Sequence, residues 1–225
     1  MKSLSDEKIV ACWQRNVAPW VSAVRGGAIE SRQLVTNKAI INAVLSGAPQ
    51  SVLDIGCGEG WLARALVNAG VDVLGVDAVP ALIAAAQQGG AGRFKVLPYD
   101  VLSHHVLDEQ FDVAVCNFSL LGNESVTRVF EQVPLLLNGG GRLIVQTIHP
   151  LAGCGDSEYR DGWREGSWVG FSDEFSDPAP WYFRTMETWR ALFARHGFIL
   201  GGIIEPVNPV SGKIASVIFI GELEC

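Results

Sequence analysis

The sequence predicts an α/β fold in which a parallel sheet is covered by helices on both faces. Three observations carry this prediction. Apolar runs of four to seven residues alternate with helix-periodic segments between residues 50 and 150, glycines interrupt the chain where the first run gives way to a helix, and two further apolar runs close the sequence near enough to pair antiparallel.

Residues 6–25 set Ile9, Val10, Trp13, Val17, Trp20, Val21 and Val24 at helical spacing and end at Gly26-Gly27, which predicts one N-terminal helix. A second helix is predicted over 36–45. The period then changes: Val52-Leu53-Asp54-Ile55 reads as a buried strand that breaks at Gly56, and residues 61–68 as the helix behind it, closed by Gly70. Strands are predicted at 71–76, 94–97, 111–117 and 142–147, with helices near 80–88 and 124–137 between them. A helix at 185–196 leads to the closing strands at 198–205 and 214–220. Periodicity vanishes from Pro150 to Phe183, where Gly and Asp mix with Trp163, Trp168, Phe171, Phe175, Trp181 and Tyr182. A stretch this long, and this aromatic, reads as a functional lid rather than a disordered loop.

With 225 residues and 48% hydrophobic content the chain can bury a sizeable core, and one domain is expected. It is read as a helical cap at 1–48, a core at 50–150, a lid insertion at 151–183 and a C-terminal helix and strand pair at 184–225. No apolar run reaches the roughly 18 residues of a membrane span, and residues 1–10 mix charges of both signs where a secretory leader would be apolar, so a cytoplasmic protein without membrane partners is expected. Cys12, Cys57, Cys116, Cys154 and Cys225 are odd in number, widely spaced and without a CxxC pair; they read as free thiols, with no metal site implied. The net charge of −7 opposes the broad basic surface that phosphate backbones need, which argues against nucleic acid as substrate.

The chemistry is concentrated in Asp54-Ile55-Gly56-Cys57-Gly58-Glu59-Gly60. Glycines between a strand and a helix let the backbone turn sharply and approach a ligand closely, which implies a nucleotide-like ligand. A dinucleotide fingerprint would place its third glycine at position 61, where Trp61 stands, so the spacing argues against NAD. Asp77 ends the second strand 21 residues after Gly56, where a carboxylate can accept both hydroxyls of a ribose or else cap the helix that starts near Pro80. Asp100 lies just past the third strand, placed to accept from an adenine amino group while the backbone N–H of Val101 bonds a ring nitrogen; a loop-capping role is the alternative. Asn117, in Asn117-Phe118-Ser119, ends the fourth strand beside the first, at the switch point where ligands collect in doubly wound sheets; a structural turn is the alternative.

Together these residues resemble the class I S-adenosylmethionine-dependent methyltransferase family, over roughly residues 50–150 and the C-terminal helix and strands. The resemblance implies a Rossmann-like seven-stranded sheet with one reversed strand and S-adenosylmethionine as cofactor. It implies Gly56 and Gly58 beside the methionine part, Asp77 with neighbouring Ala78 on the ribose, and Asp100 with Val101 on adenine. Asp54 resembles the acid that orders the loop, and Cys57 fills a small-residue position as an inert thiol. The Asn-Pro-Pro-Tyr signature of branches that methylate nucleic-acid amino groups is replaced by Asn117-Phe118-Ser119-Leu120, and no Pro-Cys pair for cytosine methylation is present. Both absences favour a small-molecule acceptor. A catalytically silent cofactor-binding or scaffold protein is the alternative, to be favoured if the aromatic insert fills the acceptor pocket.

Three further assignments complete the reading. Arg32 is placed either against the cofactor carboxylate as a bidentate partner or in solvent. Trp168 and Tyr182 are expected to wall the acceptor pocket, the alternative being a hydrophobic cluster under the insert. His149, after the fifth strand, is either a general base for a hydroxyl acceptor or a histidine that fixes the exit from strand to insert.

Overall fold

Residues 4–224 of a computed structural model are described; Cys225 and the start of the N-terminal segment, 1–3, lie outside them. Helices α1 (Asp6–Arg15), α2 (Val17–Arg25) and α3 (Asn37–Leu45) precede strand β1 (Ser51–Ile55). Then come α4 (Trp61–Asn68), β2 (Asp72–Asp77), α5 (Pro80–Gln88), β3 (Arg93–Val96), α6 (His104–Leu107), β4 (Phe111–Asn117), α7 (Glu124–Leu136) and β5 (Leu137–Thr147). Helix α8 (Pro150–Cys154) and the short strands β6 (Gly162–Arg164) and β7 (Trp181–Phe183) lead to α9 (Met186–Arg195), β8 (Phe198–Ile204) and β9 (Val217–Leu223).

The main sheet has seven strands in the order β3-β2-β1-β4-β5-β9-β8. The pairs from β3 to β5 are parallel, and β9 is the one reversed strand, antiparallel to both β5 and β8. The central strands β1 and β4 are mostly apolar because both faces are covered, whereas the edge strand β3 is largely exposed. Leu53, Ile55, Ala114, Cys116, Leu143 and Val145 pack toward α7 and α9, while Val52, Val113, Val115 and Ile144 pack toward α3 and α4. The order reverses between β1 and β4, so their carboxyl ends open the crevice where a ligand can sit.

Three expectations need correction. The predicted helix 6–25 is two helices, broken at fully buried Asn16. The side-chain amide there donates to the carbonyls of Cys12 (2.8 Å) and Ser176 (2.7 Å) and accepts from the Ser176 N–H (2.9 Å), so it bonds to the insert as well as to its own helix. The restart also puts Pro19 in the first turn of α2, where its missing N–H is harmless. The last strand lies at 217–223 rather than 214–220, because Ile214 makes only an isolated bridge to Val207 within the turn after β8. The insert is not featureless either: β6 and β7 form a two-stranded ribbon pairing Trp163 with Tyr182. These strands of three residues are too short to show a period.

Among the described residues no helix is long and apolar enough to cross a membrane. Cys12, Cys57, Cys116 and Cys154 are free.

Candidate active site

Gly56 and Gly58 carry φ of +76° and +57° and turn the chain from β1 toward α4. The turn is pinned to β2: the N–H groups of Gly56 and Cys57 donate to the Val76 carbonyl at 2.8 and 3.0 Å, and Gly58 donates to Asp77 Oδ2 at 2.9 Å. Asp77 Oδ1 accepts from the Val79 N–H at 2.9 Å, so the carboxylate links the glycine loop to the start of α5 while facing the cavity. Cys57 is buried, and burial pushes its thiol pKa well above the usual value, as an inert thiol requires.

Asp54 is 1% exposed and its Oδ2 has no hydrogen-bond partner among the described residues. Burial, and then the charge of Asp77, push its pKa from the usual 3.8 up to about 7. A carboxyl with a raised folded pKa keeps its proton in the folded state between about pH 4 and 7, where the unfolded chain has lost it, so its contribution to stability is lost as pH rises through that window. The ligand-free protein is therefore expected to be less stable toward urea at pH 7 than at pH 5, with Asp54→Asn removing part of that slope. A variant whose slope parallels the wild type's would remove Asp54 as its source.

Arg32 is 9% exposed and lines the same cavity. It lies in a π-helical turn, 32–36, directly before α3, which sets its guanidinium 4.7 Å from the centroid of the Trp61 ring and 5.6 Å from that of Trp20. Nε donates to Asn37 at 3.2 Å, but Nη2 is buried with no hydrogen-bond partner among the described residues, and burial lowers the group's pKa to about 10. Asn117 Oδ1 is another buried atom at this cavity without a hydrogen-bond partner among the described residues. Unsatisfied buried groups cost about 1–3 kcal/mol each unless a ligand satisfies them. A cation and an amide oxygen left open at the cavity, with the buried Asp54 carboxyl outside its lining behind the glycine turn, fit a zwitterionic amino-acid group attached to a nucleoside.

Other assignments fare differently. Ala78 lines the cavity and Asp100 lies at its exposed edge. Val101 departs from expectation: it is outside the cavity lining, and its N–H donates to the Pro98 carbonyl at 3.2 Å in a 3₁₀ turn, which commits the donor expected for adenine. Sequence reading missed Glu59, which is 1% exposed and ion-paired with Arg25 (2.8 Å) and Arg64 (2.7 Å), tying α2 and α4 to the glycine loop. Only its place inside the motif hinted at a role.

Trp168 and Tyr182 both line the cavity, which measures about 980 Å³. Trp168 is held by a bond from Nε1 to the Ser176 carbonyl (3.1 Å) and stacks edgewise on Trp13 of α1 (5.8 Å). The Tyr182 N–H donates to the Leu121 carbonyl at 2.7 Å, fixing the insert over the end of β4. The insert thus walls the pocket with Trp163, Trp168, Trp181 and Tyr182 and leaves its interior open.

His149 is where expectation and structure part. It is 3% exposed, absent from the cavity lining, and committed at both ring nitrogens. Nδ1 accepts from the Leu151 N–H (3.2 Å), capping α8, which leaves Nε2 to donate to Glu205 (2.9 Å) beyond β8. The general-base assignment gives way to the strand-exit role. His149→Ala is expected to cost about 1–2 kcal/mol of stability by loss of the cap and the bond, with turnover of the folded variant within about twofold of wild type. A loss of turnover of about tenfold without destabilisation would restore the base.

With this geometry in view, the likenesses to known proteins acquire a physical meaning. A family profile described as a methyltransferase domain matches residues 52–141, the segment from β1 into β5. An uncharacterised methyltransferase of Geobacillus kaustophilus is 26% identical over 161 residues, which is 71% of this chain and 74% of the relative. A ubiquinone biosynthesis O-methyltransferase of Xylella fastidiosa is 37% identical over 109 residues, 47% of this chain and only 44% of the relative. Among solved structures, an S-adenosylmethionine-dependent methyltransferase of Mesorhizobium loti superposes with a TM-score of 0.63 at 22% identity, covering 82% of this chain and 96% of that one. The 1,6-didemethyltoxoflavin-N1-methyltransferase of Burkholderia thailandensis, solved with 1,6-didemethyltoxoflavin and S-adenosylhomocysteine, does so with a TM-score of 0.68 at 18% identity over all of this chain and 93% of that one. The structural likenesses speak to the fold, while the matched profile spans the glycine loop, Asp77, Asp100 and Asn117 that surround the cavity. Sheet order, cradle and family profile converge: residues 52–141 carry a methyltransferase domain, set in the seven-stranded sheet of the class I S-adenosylmethionine-dependent fold.

Proposed function

We propose that the protein methylates a small-molecule acceptor bound in the aromatic-walled cavity. The observation that carries this reading is that one cavity is lined both by the glycine loop, with Gly56 and Asp77, and by the insert, with Trp181 and Tyr182. Its volume of about 980 Å³ is at the upper end of the roughly 300–1,000 Å³ of small-molecule sites. In this reading 50–150 form the cofactor core, and 1–48 and 151–183 supply the cover. The net charge is −7, which favours a small acceptor over a nucleic acid.

Gly56, Cys57 and Gly58 would hold the methionine part by backbone contact, Asp54 would serve its amino group indirectly, and Arg32 would take its carboxylate, with Asn117 alongside. Asp77 with Ala78 would hold the ribose, and Asp100 the adenine edge. S-adenosylmethionine, when bound, supplies an electrophilic methyl group on a sulfonium. The chain's own contribution is positional: Trp13, Trp20 and the insert exclude water, and the aromatic walls orient an acceptor atom in line with the methyl group. With His149 committed elsewhere, no histidine base is assigned.

The test is a panel of small phenols, acids, amines and thiols, with total RNA and a protein mixture alongside, screened for release of S-adenosylhomocysteine. Turnover with a small molecule and none with RNA or protein is expected; turnover with RNA or protein alone would overturn the reading. The silent-scaffold alternative predicts cofactor binding and no turnover with any class, and the open cavity speaks against it.

A further inference from the structure

The cavity wall holds two buried guanidinium groups, and the cofactor's single carboxylate accounts for one. The other belongs to Arg184, which follows β7, is 4% exposed, and lines the cavity with Tyr182 and Trp189. Nη1 donates to the Gly122 carbonyl (2.8 Å) and Nη2 to the Asn123 carbonyl (3.1 Å), while the guanidinium carbon lies 4.8 Å from the ring centroid of Tyr182 and 5.3 Å from that of Trp189. All these partners are neutral. Among the described residues Arg184 makes no salt bridge.

The acids whose charge reaches it are used elsewhere. Asp6 accepts from the N–H groups of Asn123 (2.8 Å) and Ser125 (2.7 Å), and Asp161 from that of Thr185 (2.8 Å). Glu7 and Glu124 sit at the exposed rim. Burial lowers the Arg184 pKa only to about 10, so the group remains charged at neutral pH. A buried charge without a counter-charge is costly, and an oxyanion from a ligand relieves that cost through charge-assisted bonds. The surrounding surface is aromatic: Tyr182 and Trp189 lie against the guanidinium, Trp163 packs edgewise on Tyr182, and Trp181 lines the same cavity.

We propose that Arg184 receives the anionic group of the methyl acceptor, which is therefore a small aromatic carboxylate whose ring lies against the tryptophans of the insert. This rests on the methyltransferase reading of the same cavity and adds the acceptor's charge to it.

The test uses intrinsic tryptophan fluorescence of the full chain saturated with S-adenosylhomocysteine, titrated with matched pairs: 4-hydroxybenzoate against 4-hydroxybenzamide, and 6-hydroxy-2-naphthoate against its amide. At least one acid is expected to bind about tenfold or more tighter than its amide, a preference that Arg184→Gln abolishes and Arg184→Lys keeps in part, with S-adenosylhomocysteine affinity within about twofold throughout. Equal binding of acids and amides, binding of neither, or an acid preference that survives Arg184→Gln overturns the proposal. If Arg184→Gln does not fold, the wild-type ratio and Arg184→Lys decide. Failure to bind S-adenosylhomocysteine at all would instead strike the cofactor reading, so the two failures are distinguishable.

Discussion

Gly56→Ala is expected to destabilise the protein by about 3 kcal/mol and to abolish measurable cofactor binding. The backbone there has φ of +76°, a left-handed conformation that costs a residue with a Cβ about 1–2 kcal/mol. The added carbon would also lie inside contact distance of Ser119 Cβ and 2.5 Å from the Tyr99 hydroxyl oxygen. Neither neighbour can withdraw freely. The Ser119 hydroxyl donates to the Ile55 carbonyl at 2.6 Å, and the Tyr99 hydroxyl donates to the Ser119 carbonyl at 3.2 Å, so the clash falls on the contacts that join the ends of β1 and β4. Urea unfolding and titration with S-adenosylhomocysteine check this. A variant within about 1 kcal/mol of wild type that still binds would contradict the close-approach role given to Gly56.

Asp77→Ala is expected to weaken S-adenosylhomocysteine binding by about 1.5–3 kcal/mol, a factor of about 10–150, through loss of charge-assisted bonds to the ribose hydroxyls. The side chain has a structural duty as well, since it accepts from the N–H groups of Gly58 and Val79. Asp77→Asn keeps an acceptor for one of these and removes the charge, so it separates loop support from ribose recognition. Its affinity should fall nearly as far as that of the alanine variant while its melting temperature stays closer to wild type. Loss of the charge should also draw the Asp54 pKa down from about 7, because Asp77 contributes to raising it. Unchanged affinity in a folded Asp77→Ala protein would remove the residue from the site.

The parts of the fold legible in the sequence are those written in local patterns. The core strands are apolar because both faces are covered, and Gly56 and Asp77 stand at intervals fixed by one strand, one turn and one helix. What was not legible depends on contacts between distant residues. Asn16 breaks the first helix because Ser176, 160 positions away, offers a better set of bonds. His149 sits at the expected edge of the sheet, yet Glu205, 56 residues on, and the first turn of α8 claim both its nitrogens. Val101 lost its expected role to a turn of three residues. Arg184 carried no local signal: a lone arginine before a helix looks like surface, and only the ribbon formed by β6 and β7 buries it against Tyr182 and Trp189. Arg32 was legible as a choice between carboxylate partner and solvent, and its burial with an unsatisfied Nη2 excludes the solvent alternative.

The cradle formed by Gly56, Gly58, Asp77 and Arg32 is expected to hold S-adenosylmethionine and no dinucleotide. Isothermal titration of the full chain with S-adenosylmethionine, S-adenosylhomocysteine and NAD tests it in a single series. One site with low-micromolar or tighter affinity for the first two, about −8 kcal/mol, and no heat of binding with NAD is expected. Binding of NAD, or no binding of either sulfur ligand by the folded protein, would contradict it.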